Sequence, residues 1–151
     1  METEIVKAAE RPFDRNASLG YLVNQLARQL RQRLEARLAR YGAPLGQFAL
    51  LLVLWEEAGL TQSEIARRLD FEQPTVANTL KRMMRDGLVQ TSPDPANRKQ
   101  VLVFLTEKAR RLCDPLIAEA KAVNAEALAV LSPDETARLQ QSIAKLIQAL
   151  K

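Results

Sequence analysis

No histidine occurs in the 151 residues, and cysteine occurs once, at Cys113. The first absence removes imidazole acid–base catalysis and the commonest protein metal ligand together. The second rules out an intramolecular disulfide and fits a reducing compartment. Aromatic residues make up only 5% of the chain, so the core must come from aliphatic side chains. No apolar run is long enough to span a bilayer: the longest, from Phe48 to Trp55, falls far short of about 20 residues. The N-terminal Met1-Glu2-Thr3-Glu4 is acidic and is followed by no apolar segment of the signal-peptide kind. No serine or cysteine has a base to activate it, and no glycine-rich phosphate loop appears, so an enzyme is not expected. No cofactor or metal is called for. Together these absences fit a cytoplasmic chain with no membrane partner.

What is present is apolar, helical and mildly basic. Hydrophobic residues reach 47%, enough for a sizeable core, and the net charge is +4. Arg28, Arg31, Arg33, Arg37 and Arg40 load one segment opposed only by Glu35. They read as a solvated helix face, or as ion pairs across a dimer, before they read as a second nucleic-acid surface.

Periodicity divides the chain. Residues 1–16 have none and read as an N-terminal arm. From Ser18, the residues Leu19, Leu22, Val23, Leu26, Leu30, Leu34 and Leu38 recur at helical spacing. Gly42 supplies a left-handed stop, and Pro44 starts a second helix that is apolar nearly all round, Leu45 to Glu57. Thr61 and Glu64 form a capping box for a third. Asp70-Phe71-Glu72 is a turn, and Pro74 sits in the first turn of a fourth helix that Gly87 ends. On that helix Val76, Leu80, Met83 and Met84 are expected inside, with Gln73, Thr75, Asn78, Thr79 and Arg82 outside. Leu88–Thr91 and Gln100–Leu105 read as a hairpin around a Pro-, Asp- and Asn-rich loop. Thr106 opens a long helical tract in which Pro115 should act as a kink. Ser132 and Glu135 make a second capping box, with Pro133 at the first helical position. The fold class is therefore mainly α with a small β-hairpin wing: a winged helix-turn-helix at 45–105. The flanks, 17–44 and 106–151, carry apolar stripes that can fold back on the same chain or pair with a second copy. Pairing is favoured, because two half-sites multiply affinity and specificity for duplex DNA.

The segments Leu60-Thr61-Gln62-Ser63-Glu64-Ile65-Ala66, Glu72-Gln73-Pro74-Thr75, Asp86-Gly87-Leu88-Val89, Asn97-Arg98-Lys99 and Leu105-Thr106-Glu107-Lys108 resemble, in this order and spacing, the MarR family and its SlyA-like branch. The resemblance covers essentially all of the chain after the arm. It implies a homodimer with a helical base and two winged lobes, working at the nucleoid in a bacterial cytoplasm. It also implies binding to palindromic duplex DNA operators, usually as a repressor, and release by a small, often aromatic or phenolic, ligand. Two positions depart from the branch. Asn78 stands where an arginine is usual; Asn suits adenine N6/N7, whereas Arg suits guanine O6/N7. Asn97 stands where an aspartate usually steadies the wing.

Arg98, at the wing tip, is the expected minor-groove contact, with Lys99 beside it on phosphate. Gln73, Thr75, Asn78 and Thr79 are the candidates for base edges, and the Pro74 ring for a thymine methyl group. Ser63, Arg67, Lys81 and Arg82 would contact phosphate, giving affinity and salt dependence more than sequence. Phe48, Leu51, Leu52 and Trp55, with Tyr21 and Arg28 as the anion partner, can line a cleft for a small-molecule effector; core packing accounts for each of them singly. Cys113 reads as a packed thiol. Two other functions remain open: a protein-interaction module that uses the winged helix without DNA, and a ligand-independent architectural DNA binder.

Overall fold

The computed structural model describes residues 13–151. Of the expected N-terminal arm, residues 1–12 lie outside the described residues. Its end is not arm-like: Arg15–Ala17 form a 3-10 turn whose preceding Asp14 carboxylate accepts the Asn16 N–H at 2.9 Å.

Six α-helices follow. Helix α1, Leu19–Leu38, runs into a 3-10 turn at Ala39–Tyr41 and stops at Gly42, which is left-handed (φ 65°). The chain then bends through 77° into α2, Leu45–Glu56. As its all-round apolarity predicts, α2 is the central helix. Leu50 and Leu51 are fully buried, Leu54 nearly so, and Phe48 meets Trp55 edge-on at 6.4 Å between ring centroids. No single helix among the described residues is long and apolar enough to cross a membrane.

Helix α3, Gln62–Leu69, begins with the expected capping box: Thr61 Oγ1 accepts the Glu64 N–H, and the Glu64 carboxylate accepts the Thr61 N–H at 2.7 Å. That second bond holds the Glu64 carboxyl below its usual range. Asp70 ends α3 in the left-handed region (φ 54°), a conformation Asp tolerates better than most side chains. Helix α4, Gln73–Arg85, carries Pro74 in its first turn and closes at Gly87 (φ 72°), where the Gly87 and Leu88 N–H groups reach back to the Met84 and Met83 carbonyls.

The expected hairpin forms from β2, Val89–Pro93, and β3, Val101–Leu105. It gains a third strand the sequence does not announce: β1, Leu60–Thr61, pairs antiparallel with β3 in the order β1-β3-β2. Gly59 makes this approach feasible. A Cβ there would stand 3.1 Å from the Phe104 ring, and its φ of 76° strains any L side chain.

Helix α5, Glu107–Leu128, is capped by Thr106 and continues unbroken through Pro115. The proline is accommodated inside the helix and does not delay its start. Interior proline costs about 3 kcal/mol, whereas burying an aliphatic side chain returns about 1.5–3 kcal/mol; Leu116 and Val123 are both buried here, against the fold. Ion pairs from α1 also grip this helix, Arg33 to Glu126 and Arg37 to Glu119 and Glu126. The α1 arginines that pair do so within the chain. Helix α6, Pro133–Ala149, starts with the second capping box and buries none of its residues.

The core is one cluster uniting α2, α3, α4, the sheet, the first half of α5 and the elbow between α1 and α2. The apolar stripes at the far ends stay outside it. Leu19, Leu22, Val23 and Leu26 on α1, and Leu139, Ile143, Leu146 and Ile147 on α6, are all exposed.

Candidate nucleic-acid interface

Helices α3 and α4 and the β2–β3 hairpin bring the predicted polar residues to one side of the lobe. Pro74, Thr75, Asn78, Lys81 and Arg82 are exposed along α4. Thr75, Asn78 and Arg82 are spaced three and four apart, so they share one helix face. Ser63 and Arg67 are exposed on α3. Gln73 is tied back across the turn: its Nε2 donates to Ser63 Oγ at 3.1 Å, and its Oε1 accepts from Gln62 Nε2 at 3.3 Å. These bonds set the first turn of α4 against the first turn of α3, and in doing so they orient two of the expected contact residues.

Thr79 must be corrected. It is 3% exposed and cannot reach a base edge. Its position three and four residues from Val76 and Met83 puts it on the core side of α4. Buried there, its hydroxyl donates to the Thr75 carbonyl at 2.8 Å and accepts from Arg82 Nη2 at 3.3 Å. Thr79 thus steers Arg82, one of the expected contact residues. Met84 is the converse case: expected inside, it is exposed. It helps line an apolar cleft of about 190 Å³ between α4 and the wing strands, with Leu80, Val89, Val101 and Val103. Sequence reasoning missed this cleft. Its only signals were an apolar residue on the outer phase of α4 and another, Val101, at the strand start.

The wing loop is built from side-chain-to-backbone bonds. Asp94 Oδ1 accepts the Ala96 N–H at 2.9 Å, and Asn97 Oδ1 accepts the Lys99 N–H at 3.2 Å. The Asp94 and Gln100 backbones close the loop base at 3.0 Å. Asn97 therefore performs locally what an aspartate would, through its neutral oxygen. Arg98 is held at the exposed tip. Among the described residues, no carboxylate forms an ion pair with Arg98, Lys99, Arg67, Lys81 or Arg82. Between the starts of α3 and α4 and the base of the wing lies an open, polar cleft of about 350 Å³, bordered by Ser63, Gln73, Lys99 and Gln100.

Of the six residues expected around an effector, Phe48, Leu51, Leu52 and Trp55 lie in or against the core, while Tyr21 and Arg28 are exposed on α1. Leu51 is fully buried and Phe48 nearly so, and both belong to the core. Leu52 packs against that core, and Trp55 Nε1 donates to the Ala109 carbonyl at 3.3 Å. Tyr21 stands exposed on α1 with the Arg15 guanidinium 5.5 Å from its ring centroid. Arg28 borders a shallow depression formed with Asn24, Ala27 and Arg31 on the same helix. A helix that is apolar all round cannot reveal from sequence which residues line a cavity and which fill the core. Cys113 is half-buried, and burial pushes its thiol pKa up, the opposite of a reactive thiolate.

The MarR family model matches residues 44–101, the segment from the start of α2 to the start of β3. Over 101 residues the chain is 35% identical to the HTH-type transcriptional regulator TtmR of Methylorubrum extorquens, covering 67% of this chain and 52% of TtmR. The chain thus spans about half the length of that relative. It is 33% identical to the HTH-type regulator YwoH of Bacillus subtilis, covering 64% of this chain and 69% of YwoH. Among solved structures, the PcaV transcriptional regulator of Streptomyces coelicolor, in complex with its natural ligand, superposes with a TM-score of 0.83 at 25% identity, covering 93% of this chain and 99% of PcaV. The matched segment, the helix order on both sides of it and the three-stranded wing agree with one another, and the chain belongs to the MarR family.

Proposed function

We propose that this protein is a sequence-specific DNA-binding transcriptional regulator, acting as a homodimer on a palindromic operator and repressing by occupying it. The observation that carries this reading is that one lobe presents the exposed Thr75–Asn78–Arg82 face of α4 and the exposed, unpaired Arg98 tip, with a polar cleft bordered by Ser63, Gln73, Lys99 and Gln100 where the start of α4 meets the base of the wing. A helix face of that size suits the major groove, a lone arginine on a two-stranded arm suits the minor groove, and the cleft between suits the intervening phosphates. In this reading residues 45–105 form the reading lobe, while 17–44 and 106–151 form the pairing region. The exposed stripes on α1 and α6 support the dimer. Release by a small molecule is supported by the ligand-bound state of PcaV; where such a ligand would sit on this chain is not defined by Phe48 or Leu51, which offer almost no surface.

The test is a fluorescence anisotropy titration of the protein with duplex DNA at several salt concentrations. Affinity should fall linearly in log–log form as salt rises, by close to one unit of slope per phosphate contacted. Salt-independent binding, or none, would favour a protein-interaction role. Arg98→Ala should weaken binding to a selected duplex by about 1–3 kcal/mol while leaving the association state unchanged; an unaltered affinity would remove Arg98 from the interface.

Asn78 bears on which sequence is read. Asn78→Ala should relax discrimination at one base pair in each half-site. The loss should be about 1–3 kcal/mol against the preferred base. Selection from a randomised duplex library measures it directly, and the same motif emerging from both proteins would argue against a base contact.

A further inference from the structure

The C-terminal end of α4 is held by three groups from two elements. The Lys108 ammonium donates to the Asp86 carbonyl at 2.9 Å, and Thr106 Oγ1 donates to the Gly87 carbonyl at 2.7 Å, both from the start of α5. The third group is Gln47, whose Nε2 donates to Asp86 Oδ2 at 2.9 Å from α2. Gln47 is the unusual member. It is 3% exposed, and its Oε1 has no partner, so the core contains a half-satisfied amide. An apolar residue of the same length would fill that volume without the desolvation penalty. Packing alone therefore does not account for a glutamine here; the single bond to Asp86 does.

Its place in the fold says what that bond can do. Gln47 lies in the first turn of α2, its N–H bonded to the Pro44 carbonyl, immediately after the 77° elbow from α1. Asp86 is the C-cap of α4, whose opposite end carries Gln73, Pro74 and Thr75. A rotation at the elbow moves Gln47, and Gln47 moves the pivot of a helix about 20 Å long. We propose that Gln47 is a positioning residue for DNA reading: through Asp86 it sets the tilt of α4 in the major groove and links that tilt to the elbow between α1 and α2. This rests on the DNA-binding function proposed above.

The charged groups facing Asp86 are Arg85 from its own helix, whose Nε donates to Oδ1 at 3.2 Å, and Lys108 from α5. The Gln47 amide is the foremost influence holding the Asp86 carboxyl below its usual range, ahead of Arg85. A second carboxyl placed at position 47 would meet that carboxylate directly, and two adjacent carboxyls share a proton before both ionise. The wild-type chain has no histidine. Its binding should accordingly change little between about pH 6 and pH 8.

The experiment uses the full chain and two probes: a duplex selected from a random library by the wild-type protein, and mixed-sequence duplex of equal length. For Gln47→Met, the melting temperature should stay level or rise. The ratio of affinities for the two probes should fall by about 3- to 30-fold, because a mis-tilted helix loses base contacts before phosphate contacts. For Gln47→Glu, the ratio should approach the wild-type value near about pH 6 and collapse near about pH 8. Asp86→Asn keeps an acceptor for the Gln47 amide and should retain most of the selectivity. A Gln47→Met protein as selective as the wild type would overturn the proposal. So would a loss of selectivity that only tracks a falling melting temperature, or a Gln47→Glu profile as flat as the wild type's. Failure of the wild-type protein to select any duplex would instead overturn the DNA-binding reading itself.

Discussion

Replacing Leu26 on α1 and Ile143 on α6 together by glutamate is expected to give a folded monomer whose affinity for a two-half-site duplex drops by about 10²- to 10⁴-fold. The reason is geometric. Both residues are more than 40% exposed, 48% and 41%, and each sits in a run of equally exposed apolar neighbours. Contiguous apolar surface of this kind on a soluble chain marks a contact face. Since neither residue belongs to the core cluster, the double substitution should leave the lobe folded. One lobe then binds one half-site without the effective concentration that linkage supplies. Sedimentation velocity reports the association state and anisotropy the affinity. A variant that still sediments as a dimer, or a monomer that binds as tightly as the wild type, would refute the role given to the stripes.

Leu51→Ala should cost about 2–5 kcal/mol of folding stability. Leu51 is fully buried in the helix around which α1, α3, α4, α5 and the sheet collect. Removing its branched end leaves a cavity among side chains that are themselves fixed, so little of the space can be refilled. Chemical denaturation at equilibrium measures the change, with the protein concentration held constant because association would contribute to apparent stability. A loss below about 1 kcal/mol would mean that the site relaxes or opens to solvent, as a cavity-lining residue would.

Much of the local structure was legible because its causes are local. The capping boxes at Thr61/Glu64 and Ser132/Glu135, the left-handed stops at Gly42 and Gly87, and the proline in the first turn of α4 each involve residues within a few positions of one another. The wing tip was legible for the same reason: Asp94 and Asn97 fold the loop through their own neighbours and leave Arg98 outside. Polarity alone is a poor guide to helix phase. Thr79 is polar but lies in phase with Val76 and Met83, and its hydroxyl is satisfied by the Thr75 carbonyl, so it can be buried cheaply. Met84 is apolar but one residue out of phase.

By itself, then, the sequence determined the helix-turn-helix, the wing and the chemical character of the face they present, since each follows from short-range spacing, capping and turn chemistry. Only the tertiary structure decided which of those residues reach solvent, that β1 joins the sheet, that α5 runs through Pro115, and that Gln47 meets Asp86. The physical reason is distance along the chain. Gln47 and Asp86 are 39 residues apart, and Leu60 finds Val103 through backbone hydrogen bonds that no side-chain pattern encodes. Such contacts form only when the packed core brings remote segments together, and their energies then override the local preferences from which a sequence is read.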